Sequence, residues 1–100
     1  MAFGFISSAE DTAKYRTYIK KPQVGDVYYY RTESGNYSIE KVVALTPDSL
    51  EVELNSKEFT TTTGIKKIDR PENYEGFYEV FSKEDIVKKF NSGEIYEVVR

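Results

Sequence analysis

Alternation of apolar and polar residues in the first half of the chain constrains this fold more than any other feature. The stretch SLEVELN at 49–55 places three apolar residues on one side and two glutamates on the other. Because successive strand side chains point to opposite faces of a sheet, this stretch predicts a strand with one buried and one solvated face. The same period at 26–33 and 37–46, with turn residues at 34–36, extends the prediction to an antiparallel meander.

Three consecutive tyrosines, at positions 28 to 30, lie in the first of these strands and cannot all face one core. Either Tyr28 and Tyr30 face the core and Tyr29 faces outwards, or the arrangement is reversed and Val27 and Tyr29 are buried. Tyr28 and Tyr30 then face outwards, and Tyr37 approaches them across the hairpin if a bulge turns its side chain. Since tyrosine rings combine a large apolar area with a polar tip, Tyr28, Tyr30 and Tyr37 are a candidate surface for a peptide or protein partner. The alternative is that the rings stabilise the sheet or lie under a helix.

Two helices are predicted at either end of the strands. A capping-box pattern at Ser7–Glu10 starts a helix over about residues 8–20, and Pro22 stops it. Ser82 has the form of an N-cap for a second helix over residues 83–91. The stretch EIYEVV that follows predicts a terminal strand that returns to the sheet.

Residues 56–81 carry weaker signals. The threonine run at 60–63 has strand propensity and predicts a half-exposed edge strand, whereas Arg70-Pro71-Glu72-Asn73 predicts a loop.

These elements predict an α+β fold in a single domain over residues 1–100. It divides into an N-terminal helical extension at 1–21, a core of β-strands at 22–81, and a helix plus terminal strand at 82–100. The predicted core contains Ile19, Val27 or Tyr29, Ile39, Val43, Leu45, Leu50, Val52, Leu54, Phe81, Ile86 and Phe90.

The residue types present exclude several chemistries. The chain has no histidine and no cysteine, which removes histidine-assisted nucleophiles and the usual zinc sites. Carboxylates such as Glu51 and Glu53 remain for acid–base work, but the calcium-loop spacing is absent and the glycines are scattered rather than gathered into a phosphate loop. We therefore expect no catalytic residue, no metal and no cofactor.

The charge distribution bears on partners. A net charge of -3 and a pI of about 5.0 argue against nucleic acid, whose phosphates require clustered basic residues. Four basic residues lie close together in the N-terminal region, namely Lys14, Arg16, Lys20 and Lys21. Such a group ordinarily forms a solvated helix face. In the alternative hypothesis they lie next to lipid, in a structural domain of a membrane-anchored protein. The apolar start MAFGFI is too short to span a bilayer, so as written the chain predicts a cytoplasmic domain.

The segment PQVGDVY at 22–28, followed by a hairpin, the return strand IEKVVAL and the strand SLEVEL, resembles the opening of SH3-like and Tudor-like small barrels over residues 22–55. The whole chain is similar to bacterial domains of unknown function in which a short helix precedes such a barrel and a helix plus strand ends it, sometimes behind a membrane anchor. The resemblance implies a strongly bent antiparallel sheet of about five strands. It also implies a binding or scaffolding module rather than an enzyme.

Overall fold

The computed structural model describes residues 9–100, which fold into a five-stranded antiparallel sheet and two α-helices. This confirms the predicted α+β class. Ser7 and Ser8, which begin the predicted capping box, lie outside the described residues. The elements in chain order are α1 Ala9–Lys20, β1 Val27–Arg31, β2 Tyr37–Leu45, β3 Ser49–Asn55, the 3₁₀ turns Ile65–Ile68 and Pro71–Asn73, β4 Tyr74–Ser82, α2 Lys83–Asn91 and β5 Ile95–Val99.

The strands lie in the order β4-β3-β2-β1-β5. The predicted meander of β1 to β3 is confirmed, and β5 returns to pair with β1 as expected. Strands β4 and β5 form the two edges, so the part of the sheet within residues 9–100 is open rather than closed into a barrel. Helix α2 has its predicted bounds, and the Ser82 Oγ accepts a hydrogen bond of 3.0 Å from the Asp85 N–H.

Both helices pack on one face of the sheet, here called the helix face. Ile19 of α1 and Ile86 of α2 are buried against it, as predicted. The remaining buried apolar residues of this face are Tyr28, Val42, Leu50, Val52, Ile95 and Val98. Leu54, Phe81 and Phe90, which the sequence places in the core, pack around this cluster and are only partly buried.

Residues 56–73 cover the opposite face, here called the loop face, over β1 and the first half of β2. Ile65 and Ile68 of the first 3₁₀ turn are buried there. They pack in one cluster with Val27, Tyr29 and Ile39 of the sheet. The predicted solvated face is wrong for β1 and the first half of β2, because this long connection folds back over them and supplies its own apolar side chains. On β3, Glu51 and Glu53 stay half-exposed on that face.

The threonine run lies inside that covering segment. Residues 60–63 form bends and turns, so the edge strand predicted there is wrong. Just before the run, the Phe59 N–H donates to the Tyr37 carbonyl at 2.9 Å and the Tyr37 N–H donates to the Phe59 carbonyl at 2.8 Å. This isolated bridge fixes the connection to the start of β2, and the strand propensity of threonine is overridden by the packing of the whole segment.

A bulge near the end of β2 changes the face on which the last residues of that strand lie. The register with β3 shifts between Val42 and Ala44. One inserted residue moves the following side chains to the other face. Val42, just before the bulge, is buried on the helix face, whereas Val43 is half-buried and Leu45 is exposed. The assignment of Val43 and Leu45 to the core is therefore wrong.

A buried ion pair fixes the last residue against the start of β1. The fully buried Asp26 carboxylate accepts hydrogen bonds of 2.9 and 3.1 Å from Nε and Nη2 of Arg100. It also accepts one of 2.9 Å from the Gln23 N–H. The same guanidinium donates to the Lys21 carbonyl and lies 4.0 Å from the centre of the Tyr18 ring. One side chain thus joins α1, β1 and the end of β5.

Candidate binding site

The structure does not bring Tyr28, Tyr30 and Tyr37 to one surface. Tyr28 is fully buried and Tyr30 half-buried on the helix face. Tyr37 packs on the loop face, because the hairpin register is regular and pairs it with Arg31. β1 is an inner strand with both faces covered, which leaves no exposed side for its tyrosines. The predicted role of these three residues in partner binding therefore lacks the shared surface that it requires.

Tyr28 acts as a large core side chain. Its hydroxyl is buried and has no hydrogen-bond partner among the described residues. Burial, together with the charges of Asp26 and Glu40, raises the pKa of this hydroxyl well above its usual value. The phenol therefore stays neutral, because burial outweighs the charge of Arg100, which favours ionisation.

Three other tyrosines do gather around a cavity. Tyr15, Tyr29 and Tyr96 line a space of about 630 Å³ between α1, β5 and the first 3₁₀ turn. Tyr96 packs edge-on against Tyr29, with 6.4 Å between ring centres. Burial and the charge of Glu97 raise the pKa of Tyr29 and of Tyr96 to about 12. A Lys66–Glu97 ion pair of 3.6 Å lies at the rim.

The basic residues of the N-terminal region are exposed. Lys14, Arg16, Lys20 and Lys21 all reach solvent. At about 100° per residue, Lys14 and Arg16 flank the buried stripe of α1 on opposite sides rather than forming one patch, and the Arg16 guanidinium lies 5.6 Å from the centre of the Phe90 ring. Their proximity to lipid stays a prediction. No helix among residues 9–100 is long and apolar enough to cross a membrane.

Exposed apolar side chains concentrate instead on β4. Phe77, Tyr78 and Val80 are 65%, 53% and 66% exposed. Sequence reasoning missed this strand, because YEGFYEVF has aromatic and apolar residues on both faces and shows no clean alternation. That two-sided apolar character, bounded by Pro71 and the Ser82 cap, is the signal by which it could have been found.

The strand β4 pairs with β3 on one side and has no neighbouring strand on the other within residues 9–100. Its pairing is irregular near Gly76, where the backbone has a φ of +83° that glycine adopts without strain. The Gly76 N–H donates to the Glu53 carboxylate at 3.0 Å. From Phe77 to Ser82 the outer N–H and C=O groups form an open edge of the kind to which another strand adds.

Acidic residues frame this edge. Glu51 and Glu53 on β3 lie opposite Val80 and Tyr78. On β4 itself, Glu79 lies between Tyr78 and Val80 in sequence and so points to the other face. Tyr78 and Val80 thus lie on the loop face of the edge, beside Glu53 and Glu51, whereas Phe77 and Glu79 lie on the helix face.

The acidic residues are not arranged for metal binding. Among residues 9–100, no three acidic side chains lie close enough together to hold a metal ion. Comparison with family models, with curated proteins and with solved structures found no match to this chain.

Proposed function

We propose that the protein is a non-catalytic binding module whose β4 edge receives an extended, basic segment of a partner protein. The observation that carries this proposal is the exposure of Phe77, Tyr78 and Val80 on an edge strand. Strand addition of this kind draws affinity from backbone hydrogen bonds and specificity from alternate side chains. A binding or scaffolding role is also what the resemblance to SH3-like and Tudor-like barrels implies.

The side chains of the edge define the partner. Next to Tyr78 and Val80 an added strand presents apolar residues, because these rings and methyl groups are left exposed on the loop face. Next to Glu79 it presents a basic residue on the helix face. The matching sequence therefore alternates apolar residues with lysine or arginine.

A second copy of β4 fits the edge less well than a basic segment does. Self-pairing brings the glutamates of one copy towards those of the other, and like charges across a ladder are destabilising. Charged residues on an edge strand are a common protection against such pairing. The same charges attract a basic partner.

The test is binding of a short peptide of alternating valine and lysine to the ¹⁵N-labelled protein, followed by NMR. We expect chemical-shift changes centred on 77–82, and Val80→Lys to weaken the affinity about tenfold, which corresponds to about 1.4 kcal/mol. Val24→Lys is the matched control, because Val24 is 61% exposed but lies outside the sheet. A peptide of alternating valine and glutamate is the charge control.

Three results would overturn the proposal. If Val24→Lys weakens peptide binding as much as Val80→Lys does, the β4 edge is not the binding site. Concentration-dependent association without peptide, abolished by Val80→Lys, assigns the edge to a second copy. Salt-sensitive binding to anionic vesicles, lost when Lys14 and Lys20 become glutamate, with no peptide binding, supports the membrane-anchored alternative.

A further inference from the structure

A smaller cavity opens on the helix face beyond the C-terminal end of α2. Its volume is about 230 Å³. Tyr30, Phe81 and Ile95 form its apolar walls, and the Glu40 side chain lines it from the centre of β2. This is below the volume of about 300–1,000 Å³ typical of sites for drug-sized ligands, so the space suits one side chain of a larger partner.

Glu40 is the unusual group in this cavity. It is 4% exposed, between Tyr28 on β1 and Leu54 on β3. No hydrogen bond or ion pair joins its carboxyl group to any of residues 9–100. Buried carboxylates are costly unless a charge partner and hydrogen bonds compensate them. The fold thus holds an acid at a cavity without a partner of its own.

The surroundings of Glu40 carry excess negative charge. Glu33, Glu58, Glu79 and Glu94 also line the cavity, against two basic residues, Arg31 and Lys89. Lys89 is already engaged, because its Nζ lies 2.8 Å from Glu94 and 4.9 Å from the centre of the Phe81 ring. The Arg31 guanidinium lies 5.9 Å from the centre of the Tyr37 ring. Neither cation forms an ion pair with Glu40.

We infer that this cavity binds the cationic end of a lysine or arginine side chain from a partner, with Glu40 as its counter-ion. The apolar walls suit the aliphatic stem of such a side chain, and the acidic rim attracts its charge. The inference goes beyond the proposed function, because a cation can enter the cavity whether or not a strand adds to β4. Glu79 borders both sites, so one basic partner can occupy them together.

Proton release accompanies binding. Burial, opposed by the charge of Lys89 and reinforced by Glu79 and Glu94, raises the pKa of Glu40 to about 8. At neutral pH the carboxyl group is therefore mostly protonated. When an ammonium or guanidinium group enters, Glu40 loses its proton to solvent, and the resulting carboxylate pairs with the cation. Tyr30, whose pKa burial raises to about 12, stays neutral throughout.

The probes are n-butylammonium and n-butylguanidinium chloride, titrated into the ¹³C,¹⁵N-labelled full chain at constant ionic strength. We expect the carboxyl carbon of Glu40 to shift to its ionised value, and the apparent affinity to rise about a hundredfold from about pH 6 to about pH 9 as Glu40 ionises. The two probes distinguish a lysine-selective from an arginine-selective cavity. Sodium chloride alone is the blank.

Glu40→Gln is expected to abolish the response, whereas Glu72→Gln, an exposed acid outside the cavity, is expected to retain it. The inference is overturned if Glu40→Gln binds the two probes as the parent does. It is also overturned if the carboxyl group of Glu40 titrates near the usual pKa of glutamate and its carbon signal does not shift with either probe. Val80→Lys separates this inference from the proposed function. Because residue 80 lies on the loop face, this variant should bind the cationic probes as the parent does and bind the peptide more weakly.

Discussion

Replacing Glu40 by glutamine should stabilise the protein in a pH-dependent way. The pKa of Glu40 is raised from 4.5 to about 8, chiefly by burial. Between these values the folded state binds the proton more tightly than the unfolded state does. The stability that Glu40 contributes is therefore fully present below about pH 4.5 and is lost as the pH rises through about 8.

The size of the effect follows from that shift. Each pKa unit corresponds to about 1.4 kcal/mol, so the full shift is worth on the order of 5 kcal/mol and the part expressed at neutral pH about 3 kcal/mol. Glutamine has the same shape and no charge to bury. Glu40→Gln should accordingly match the parent within about 1 kcal/mol near pH 5 and exceed its stability by about 3 kcal/mol or more above pH 8.

Urea unfolding followed by far-ultraviolet circular dichroism measures this difference. With a slope of about 1–3 kcal/mol per molar urea, 3 kcal/mol moves the midpoint by about 1–3 M. Glu72→Gln is the control, because Glu72 is exposed. A stability difference between Glu40→Gln and the parent that does not change from about pH 5 to about pH 9 would refute the assignment of a buried, unpaired carboxyl group.

Three further changes test the core and the ion pair. Val52→Asp should unfold the domain, because Val52 is fully buried on the helix face and its replacement leaves an unpaired charge there; a variant with the parental circular dichroism spectrum and melting curve contradicts this. Arg100→Ala should cost about 3–5 kcal/mol in urea unfolding, because it strands the buried Asp26 carboxylate, and a loss below about 1 kcal/mol would mean that solvent reaches Asp26. Tyr28→Phe should leave the melting temperature unchanged or raise it, because the lost hydroxyl is unpaired; a clear decrease would reveal a hydrogen bond in solution.

The elements set by local signals could be predicted from the sequence. Helix α2 could be predicted from its N-cap, Ser82. The meander could be predicted from the turn residues between the alternating stretches. These signals act within a few residues and do not depend on the rest of the fold. The bounds of these elements in the structure are therefore close to the predicted ones.

Which side of each strand is buried could not be predicted. An alternating sequence is compatible with either side pointing inwards, and only the layers that cover the sheet decide between the two. Tyr28 faces outwards only if one side of β1 is solvated, but residues 56–73 cover one side of this strand and the helices cover the other. The bulge at Val42 and Ala44 then reverses the side of Leu45. Neither event leaves a periodic signal in the sequence.

The candidate sites could not be predicted from the sequence, for related reasons. Glu40 occupies a polar position of an alternating strand, which ordinarily predicts exposure, and only the packing of α2 and β5 around it creates a cavity. Phe77, Tyr78 and Val80 have the composition of a buried strand, and only the strand order leaves them at an edge.

The pairing of β1 with β5 also determines the order in which the chain can fold. β1 lies between β2, which follows it directly, and β5, which comes about 65 residues later in the chain. Contacts between residues so far apart carry a large loop-closure cost and slow the search for the native state. During synthesis, β1 therefore exposes one edge and the ring of Tyr28 until β5 and Arg100 have been made. For that interval the growing chain presents an unpaired strand edge, to which other chains can add.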